Sequence, residues 1–331
     1  MRIARLFSLV LLAAAPAVQA QTATPASIDD ILERGELERA HWGVHAIDAQ
    51  TGAVVYSRNA DQLFVPASNL KLVVAAAGAH YLGADYVWRT ELLAGGSVES
   101  GDLRGDLVIR GSGDPGISGR FADGEMLAVL EAWADSLSAR GIERIGGAVV
   151  ADQTLWDAQL RSPDWEIYDV NWWYAAPVAP LGFNDNAVDF RVQPGGLGEP
   201  AHISWAPRTR SFVFDNRTRT VAAGGDYTLD FDRIAGTDTI FAYGELPVDA
   251  EARTEYFAVD DPGRHFATVF LEVLGANGID VAASLGRSAY APAPAPAGTP
   301  LFTWTSAPLP VTIAPILLTS QNWFAEQLLK T

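Results

Sequence analysis

The feature that most constrains this chain is a long succession of short strand-like segments between residues 88 and 290. Segments 106–110, 147–151, 188–192 and 203–205 are brief, apolar or alternating, and bounded by turn residues. Two stretches interrupt them with helical spacing. Residues 125–140 carry Leu127, Leu130, Trp133, Ala134 and Leu137; residues 262–276 carry Phe266, Val269, Phe270, Val273 and Leu274. Ahead of this block, 67–81 follows Pro66, is rich in Ala, Leu and Val, and meets no turn residue before Gly78. The pattern predicts a buried helix there, with Gly83 as its stop. Strands and helices mixed in this way predict an α/β chain, and 49% hydrophobic residues suffice for a core.

The rest of the chain is read from local signals. Ser27 suggests an N-cap for a short helix, with Glu33 and Leu37 following. Alternation over 43–48, a turn at 49–52 and a return over 53–56 predict a hairpin. Residues 291–300 alternate Ala and Pro and read as an extended linker. The final segment, 301–331, ends in a predicted helix over 322–329. At the other end, 1–20 reads as a secretory signal peptide. Arg2 and Arg5 precede an apolar run over 6–15, and Val18-Gln19-Ala20 offers small residues for cleavage near Ala20. The expected location is periplasmic or otherwise exported. No later segment is apolar for long enough to span a bilayer, so an exported soluble protein with at most peripheral membrane contact is expected.

Composition excludes several kinds of function. There are 40 acidic and 23 basic residues, a net charge of −17, which repels phosphate backbones and argues against nucleic-acid binding. The absence of cysteine excludes a disulfide framework, a thiolate metal site and a cysteine nucleophile. The five histidines show no metal-ligand spacing, and no cofactor or metal is expected. Gly111–Gly116 matches a dinucleotide-binding glycine pattern, but Pro115 lies inside it and no helix opens directly after it. No Gly-x-Ser-x-Gly elbow is present. The Trp172-Trp173-Tyr174 run reads as packing before it reads as a stacking patch.

Among the 23 basic residues only Lys71 and Lys330 are lysine. One of them stands three residues after a serine, in Ser68-Asn69-Leu70-Lys71, at the start of the predicted helix. Positions i and i+3 share a helix face. A serine hydroxyl needs a base to become a nucleophile. Lysine can be that base when burial strips its proton, whereas arginine stays charged. Backbone N–H groups at a helix start can also help hold an oxyanion. The alternative is a capping serine with a snorkelling lysine. A second candidate is Ser320-Gln321-Asn322, where a hydroxyl and an amide two residues apart can face one cleft. Its alternative is a plain N-cap by Ser320.

Ser-x-x-Lys followed by Ser-x-Asn resembles the penicillin-binding proteins and serine β-lactamases. Residues 66–71, Gly111-Ser112-Gly113-Asp114-Pro115, Tyr174-Ala175-Ala176-Pro177, Phe183-Asn184-Asp185-Asn186 and 320–326 resemble one branch in particular. That branch is the D-alanyl-D-alanine carboxypeptidase/endopeptidase family, the class C low-molecular-mass penicillin-binding proteins of peptidase family S13. The resemblance covers 25–331. It implies a transpeptidase-like catalytic domain with a large β-rich insertion. On that basis 21–92 opens the catalytic domain, 93–290 is inserted, 291–300 links, and 301–331 begins the second catalytic part. It also implies roles: Ser68 as acylated nucleophile, Lys71 as general base, Ser320 as proton relay to the leaving group, and Asn322 as substrate-orienting amide. The implied substrates are peptidoglycan stem peptides, with β-lactams as covalent inhibitors.

The family's third motif, Lys-Thr-Gly, is absent. The only Lys-Thr is Lys330-Thr331, with no glycine after it. In the family that motif binds the substrate carboxylate and its strand supplies part of the oxyanion hole. The chain is therefore expected to be an incomplete form. Two alternatives follow: a non-catalytic cell-wall binding or scaffold protein with a degenerate site, and a β-lactam hydrolase, against which the long insertion argues.

Overall fold

A computed structural model describes residues 25–331, so the signal segment proposed for 1–20 lies outside the described residues. The chain divides into two compact units, 1–67 and 68–331.

In the first unit a helix, Pro25–Leu32, is followed by a 3-10 helix, Gly35–Arg39. Ser27 lies inside the first turn of that helix, not at its cap, because Pro25 already opens it. The expected hairpin forms between Val44–Ile47 and Val54–Arg58. Asp48 fixes its turn by accepting from the backbone N–H groups of Gln50 and Thr51.

The second unit is built round a five-stranded sheet. Its strand order is Arg287–Tyr290, Val149–Gln153, Leu107–Arg110, Arg89–Ala94, Thr299–Thr305. The first three strands run parallel and the last two pair antiparallel. Alternate side chains go to opposite faces. Leu92, Leu107, Ile109, Val149 and Ala151 face the helices Ala128–Ser138 and Pro262–Ala276. Leu93, Val108, Ala148 and Val150 form a small cluster of their own. Trp133 joins the two helices. It is fully buried and meets Phe270 edge to face at 5.7 Å. Asp261 caps the second helix by accepting from Arg264 N–H.

A second core is aromatic. Phe190, Phe231 and Phe257 lie at its centre, with Trp205, Phe212 and Phe214 around them. It is held by the sheets His202–Ala206, Ala187–Gln193, Arg253–Ala258 and Val213–Asn216, Thr239–Tyr243, Asp230–Arg233. The strand-rich texture of 88–290 thus resolves into two main cores, one on the five-stranded sheet and one aromatic. The run read as a linker, 291–300, ends inside an element. Thr299 and Pro300 already belong to the strand Thr299–Thr305, which closes the edge of the five-stranded sheet. An edge strand is where a proline, lacking an N–H, is tolerated.

The third cluster carries the candidate site. A 3-10 turn, Ala67–Asn69, leads into the helix Leu70–Tyr81. The helix Asn322–Lys330 packs on it, with the short helices Leu309–Thr312 and Ala314–Leu318 nearby. Trp88, Ile316, Trp323, Phe324 and Leu328 are buried between them. The two long helices approach closely at Gly78, where an added Cβ would lie 2.8 Å from Leu328 Cδ2. The expectation of a buried helix over 67–81 needs correction. Lys71, Ala75 and Gly78 are buried, but Leu70, Leu72 and Val73 are 53%, 59% and 63% exposed. Only the face carrying Lys71 meets the partner helix.

Candidate active site

Ser68 sits in the first helical turn, where backbone N–H groups have no carbonyl one turn earlier. Lys71 follows one turn later on the buried face and is 8% exposed. The i, i+3 spacing brings Lys71 Nζ to 3.0 Å from Ser68 Oγ. The same nitrogen lies 3.2 Å from Ser320 Oγ and 2.5 Å from Asn322 Oδ1. Ser320 Oγ in turn donates to Ser68 Oγ at 2.9 Å. Four side chains from two ends of the chain therefore converge on one point. Ser68 and Ser320 remain exposed while Lys71 does not.

Burial pushes the Lys71 ammonium below the usual lysine range, because desolvation penalises its charge. The carboxylate of Glu326, one turn beyond Asn322, opposes this by favouring the charged form. The result is an amine buried enough to lose its proton more readily than a free lysine.

Asn322 is locked at both ends of its amide. Its Oδ1 faces Lys71, and its Nδ2 donates to the carbonyl of Tyr174 at 2.8 Å. Trp323 Nε1 donates to the carbonyl of Pro177 at 3.0 Å. The 174–177 segment thus serves as a rail for the second motif. Sequence reasoning quoted that segment without assigning it a task.

Ser320 does not cap the helix that follows it. Gln321 does, by accepting from Trp323 N–H at 3.0 Å. Ser320 instead adopts a left-handed backbone, φ 56°, which turns its hydroxyl toward Ser68 and Lys71. Such a conformation in a non-glycine residue costs on the order of 1–3 kcal/mol and persists where the surroundings dictate it. A cavity of about 240 Å³ opens beside Asn322, lined also by Arg161, Trp165, Tyr174 and Glu326.

The other candidates fall away. Lys330 pairs with Asp157 and the Gln159 carbonyl, away from Ser68. Trp172 packs edge to face on Phe257 at 6.0 Å, within the aromatic core. The glycine pattern Gly111–Gly116 is a loop, and Gly113 N–H donates to the Pro180 carbonyl. His265 does meet a serine, Ser211, at 2.7 Å. It is buried, its Nε2 finds no partner among the described residues, and desolvation holds its pKa down at about 3. A base that needs a carboxylate behind it is not built there. Among the described residues no helix is long and apolar enough to cross a membrane.

The profile of the D-Ala-D-Ala carboxypeptidase 3 (S13) family matches residues 24–331. A D-alanyl-D-alanine carboxypeptidase from Actinomadura sp. (strain R39) is 35% identical over 311 residues, covering 92% of this chain and 56% of that protein. The D-alanyl-D-alanine carboxypeptidase DacB of Haemophilus influenzae is 25% identical over 48% of this chain and 33% of its own length. The crystal structure of penicillin-binding protein 4 (dacB) from Haemophilus influenzae superposes with a TM-score of 0.73 at 22% identity. That match covers 87% of this chain and 61% of the other. The fold is therefore that of a penicillin-binding protein. The chain spans about half the length of the curated relatives it matches. By its sequence along almost its whole length, the chain belongs to the D-Ala-D-Ala carboxypeptidase 3 (S13) family.

Proposed function

We propose that this chain carries the acylation centre of a serine D-alanyl-D-alanine carboxypeptidase or endopeptidase acting on peptidoglycan stem peptides. The observation that carries this reading is the position of Lys71 Nζ, within 3.2 Å of both Ser68 Oγ and Ser320 Oγ. Neutral Lys71 accepts the Ser68 proton as Oγ attacks the carbonyl carbon of the penultimate D-alanine. The C–N bond of the tetrahedral adduct then breaks. Lys71 returns its proton through Ser320 Oγ to the departing D-alanine amine, leaving an ester on Ser68. Water attacks that ester, frees the peptide carboxylate and restores the Ser68 hydroxyl. Asn322, held by the Tyr174 carbonyl, keeps Lys71 aimed and presents its amide edge to the substrate backbone. β-Lactams would enter the same chemistry and stop at the ester; a relative of this fold has been solved in complex with a novel β-lactam.

Export fits this reading, since the substrate lies outside the cytoplasm, and 1–20 has the charge and apolar pattern of a signal peptide. Pairing of Arg89–Ala94 with Thr299–Thr305 supports an inserted region whose sheet reaches beyond 93–290 at both ends.

The test is D-alanine release. The full product of the gene is incubated with a pentapeptide ending in D-Ala-D-Ala, and free D-alanine is measured. Release by the wild type that disappears in Ser68→Ala supports the proposal. Binding to peptidoglycan that survives Ser68→Ala, without any release, would replace it with a scaffold role.

A further inference from the structure

The buried residue between the two groups of the second motif is Gln321, 1% exposed. Both ends of its amide are committed. Oε1 accepts from Trp323 N–H at 3.0 Å, and Nε2 donates to Asp185 Oδ2 at 2.8 Å. Asp185 comes from a distant loop and is itself clamped. Arg120 donates to it from Nε at 2.9 Å and from Nη2 at 2.5 Å. The Arg120 guanidinium also lies 5.9 Å from the centre of the Phe324 ring, on the same helix as Asn322.

The loop holding Asp185 is rigidly specified. Asn184, Asp185 and Asn186 are all left-handed, with φ of 48°, 56° and 53°. Asn186 Oδ1 accepts from Phe183 N–H, and its Nδ2 donates to the Pro177 carbonyl. Asn184 Nδ2 donates to the Ala187 carbonyl and to Asp189. Left-handed backbone at three successive non-glycine residues persists where the surrounding structure over-determines it. What depends on Asp185 here is Gln321, and what flanks Gln321 is Ser320 and Asn322.

We propose that Asp185, gripped by Arg120, is a positioning residue that holds Gln321 and so sets Ser320 and Asn322 against Lys71. The inference rests on the acyl-enzyme reading above and adds to it a group outside the reacting atoms. Gln321 cannot turn over, because a flipped amide would aim its NH₂ at Trp323 N–H and its oxygen at a carboxylate. With Gln321 fixed, the left-handed turn at Ser320 has one outcome, and the helix Asn322–Lys330 starts in one place. Misplacement by about 1 Å can cost on the order of 100-fold in rate.

The test is the rate of Ser68 acylation by a penicillin, measured per folded molecule on the full gene product. Asp185→Ala should slow acylation by roughly 10- to 100-fold. Asp185→Asn, which keeps an acceptor for Gln321 Nε2, should lose much less. Gln321→Glu sets a carboxylate against Asp185 and should be slow. The double variant Asp185→Ala with Gln321→Ala should be little slower than Asp185→Ala alone, because paired residues lose one shared interaction rather than two. A merely structural network would lower the amount of folded protein and leave the rate per folded molecule unchanged; that result, or losses that simply multiply in the double variant, overturns the proposal. Hydrogen exchange at the Trp323 amide gives a second readout. It should rise in Asp185→Ala, and unchanged exchange there counts against the proposal even if the wild type is never acylated. A wild type that is not acylated sinks the acyl-enzyme reading instead.

Discussion

Lys71 Nζ and Asn322 Oδ1 lie 2.5 Å apart although 251 residues separate them in the chain. That contact orients the lysine. With Asn322 accepting from one side of the nitrogen, and Ser68 and Ser320 on the others, the lone pair of a neutral Lys71 has one productive use. The amine is poised between the hydroxyl that must lose a proton and the hydroxyl that must pass one on.

The charge on Lys71 therefore governs the pH dependence. An ammonium cannot accept the Ser68 proton, so acylation should rise as pH rises through the Lys71 pKa. Burial places that pKa below the range of a free lysine, and the rise should come at correspondingly lower pH. Lys71→Arg keeps the charge at every accessible pH and should lose roughly 100- to 10,000-fold, the usual worth of a general base. Stopped-flow acylation across a pH series checks both statements.

Glu326 should set where that rise falls. Its carboxylate favours the charged form of Lys71. Removing the charge in Glu326→Gln destabilises the ammonium and moves the rise in acylation to lower pH. The plateau at high pH should change little, because Lys71 is neutral there in both proteins. A rise displaced to higher pH would contradict the sign of this coupling.

Gly78 and Leu328 set the spacing between the two helices that carry the site. A Cβ at Gly78 would lie 2.8 Å from Leu328 Cδ2 and 2.9 Å from Cδ1. Gly78→Leu should push the helix Asn322–Lys330 away from Lys71, lower the Tm and slow acylation. Overpacking of this kind costs about 1–3 kcal/mol. Adding Leu328→Ala should restore part of both losses, since the space then exists. Thermal melts and acylation rates on the two variants check this.

Asp114 should make stability fall as pH rises. It is 2% exposed, and the Gly116 N–H that donates to it only partly offsets desolvation, which raises its pKa from 3.8 to about 6. The folded state then binds the proton more tightly than the unfolded chain does. The contribution is fully present below about pH 4 and lost progressively up to about pH 6. Asp114→Asn keeps an oxygen for Gly116 and removes the charge. It should be more stable than wild type at pH 8, by on the order of 3 kcal/mol, with the difference shrinking from about pH 6 and gone below about pH 4. Urea melts at the two pH values test it.

The sequence spoke most clearly where structure is local. Ser68 and Lys71 are one helical turn apart, so their meeting follows from spacing alone. The helix Pro262–Ala276 could be read from the spacing of Phe266, Val269, Phe270, Val273 and Leu274, although Asp261, which reads as solvated charge, turns out to cap it. Long-range features were less legible. Nothing local says that the Tyr174 carbonyl will hold Asn322, or that Asp185 will hold Gln321. Serine is the commoner helix cap, which is why capping stood as the alternative for Ser320; the left-handed turn at Ser320 hands the cap to Gln321 and frees the hydroxyl. Pro300 hid a strand because proline reads as a break, yet at a sheet edge it is accommodated. Apolar composition likewise overstated the burial of Leu70, Leu72 and Val73, since only one face of their helix has a partner.

The most direct measurement is to locate the label after treating the full gene product with benzylpenicillin at neutral pH. Peptide mass mapping should place the ring-opened drug on Ser68, with no label in Ser68→Ala and strongly slowed labelling in Lys71→Ala. Absence of label on Ser68, or labelling that proceeds unchanged without Lys71, would contradict the assignment of this cluster as an acylation centre.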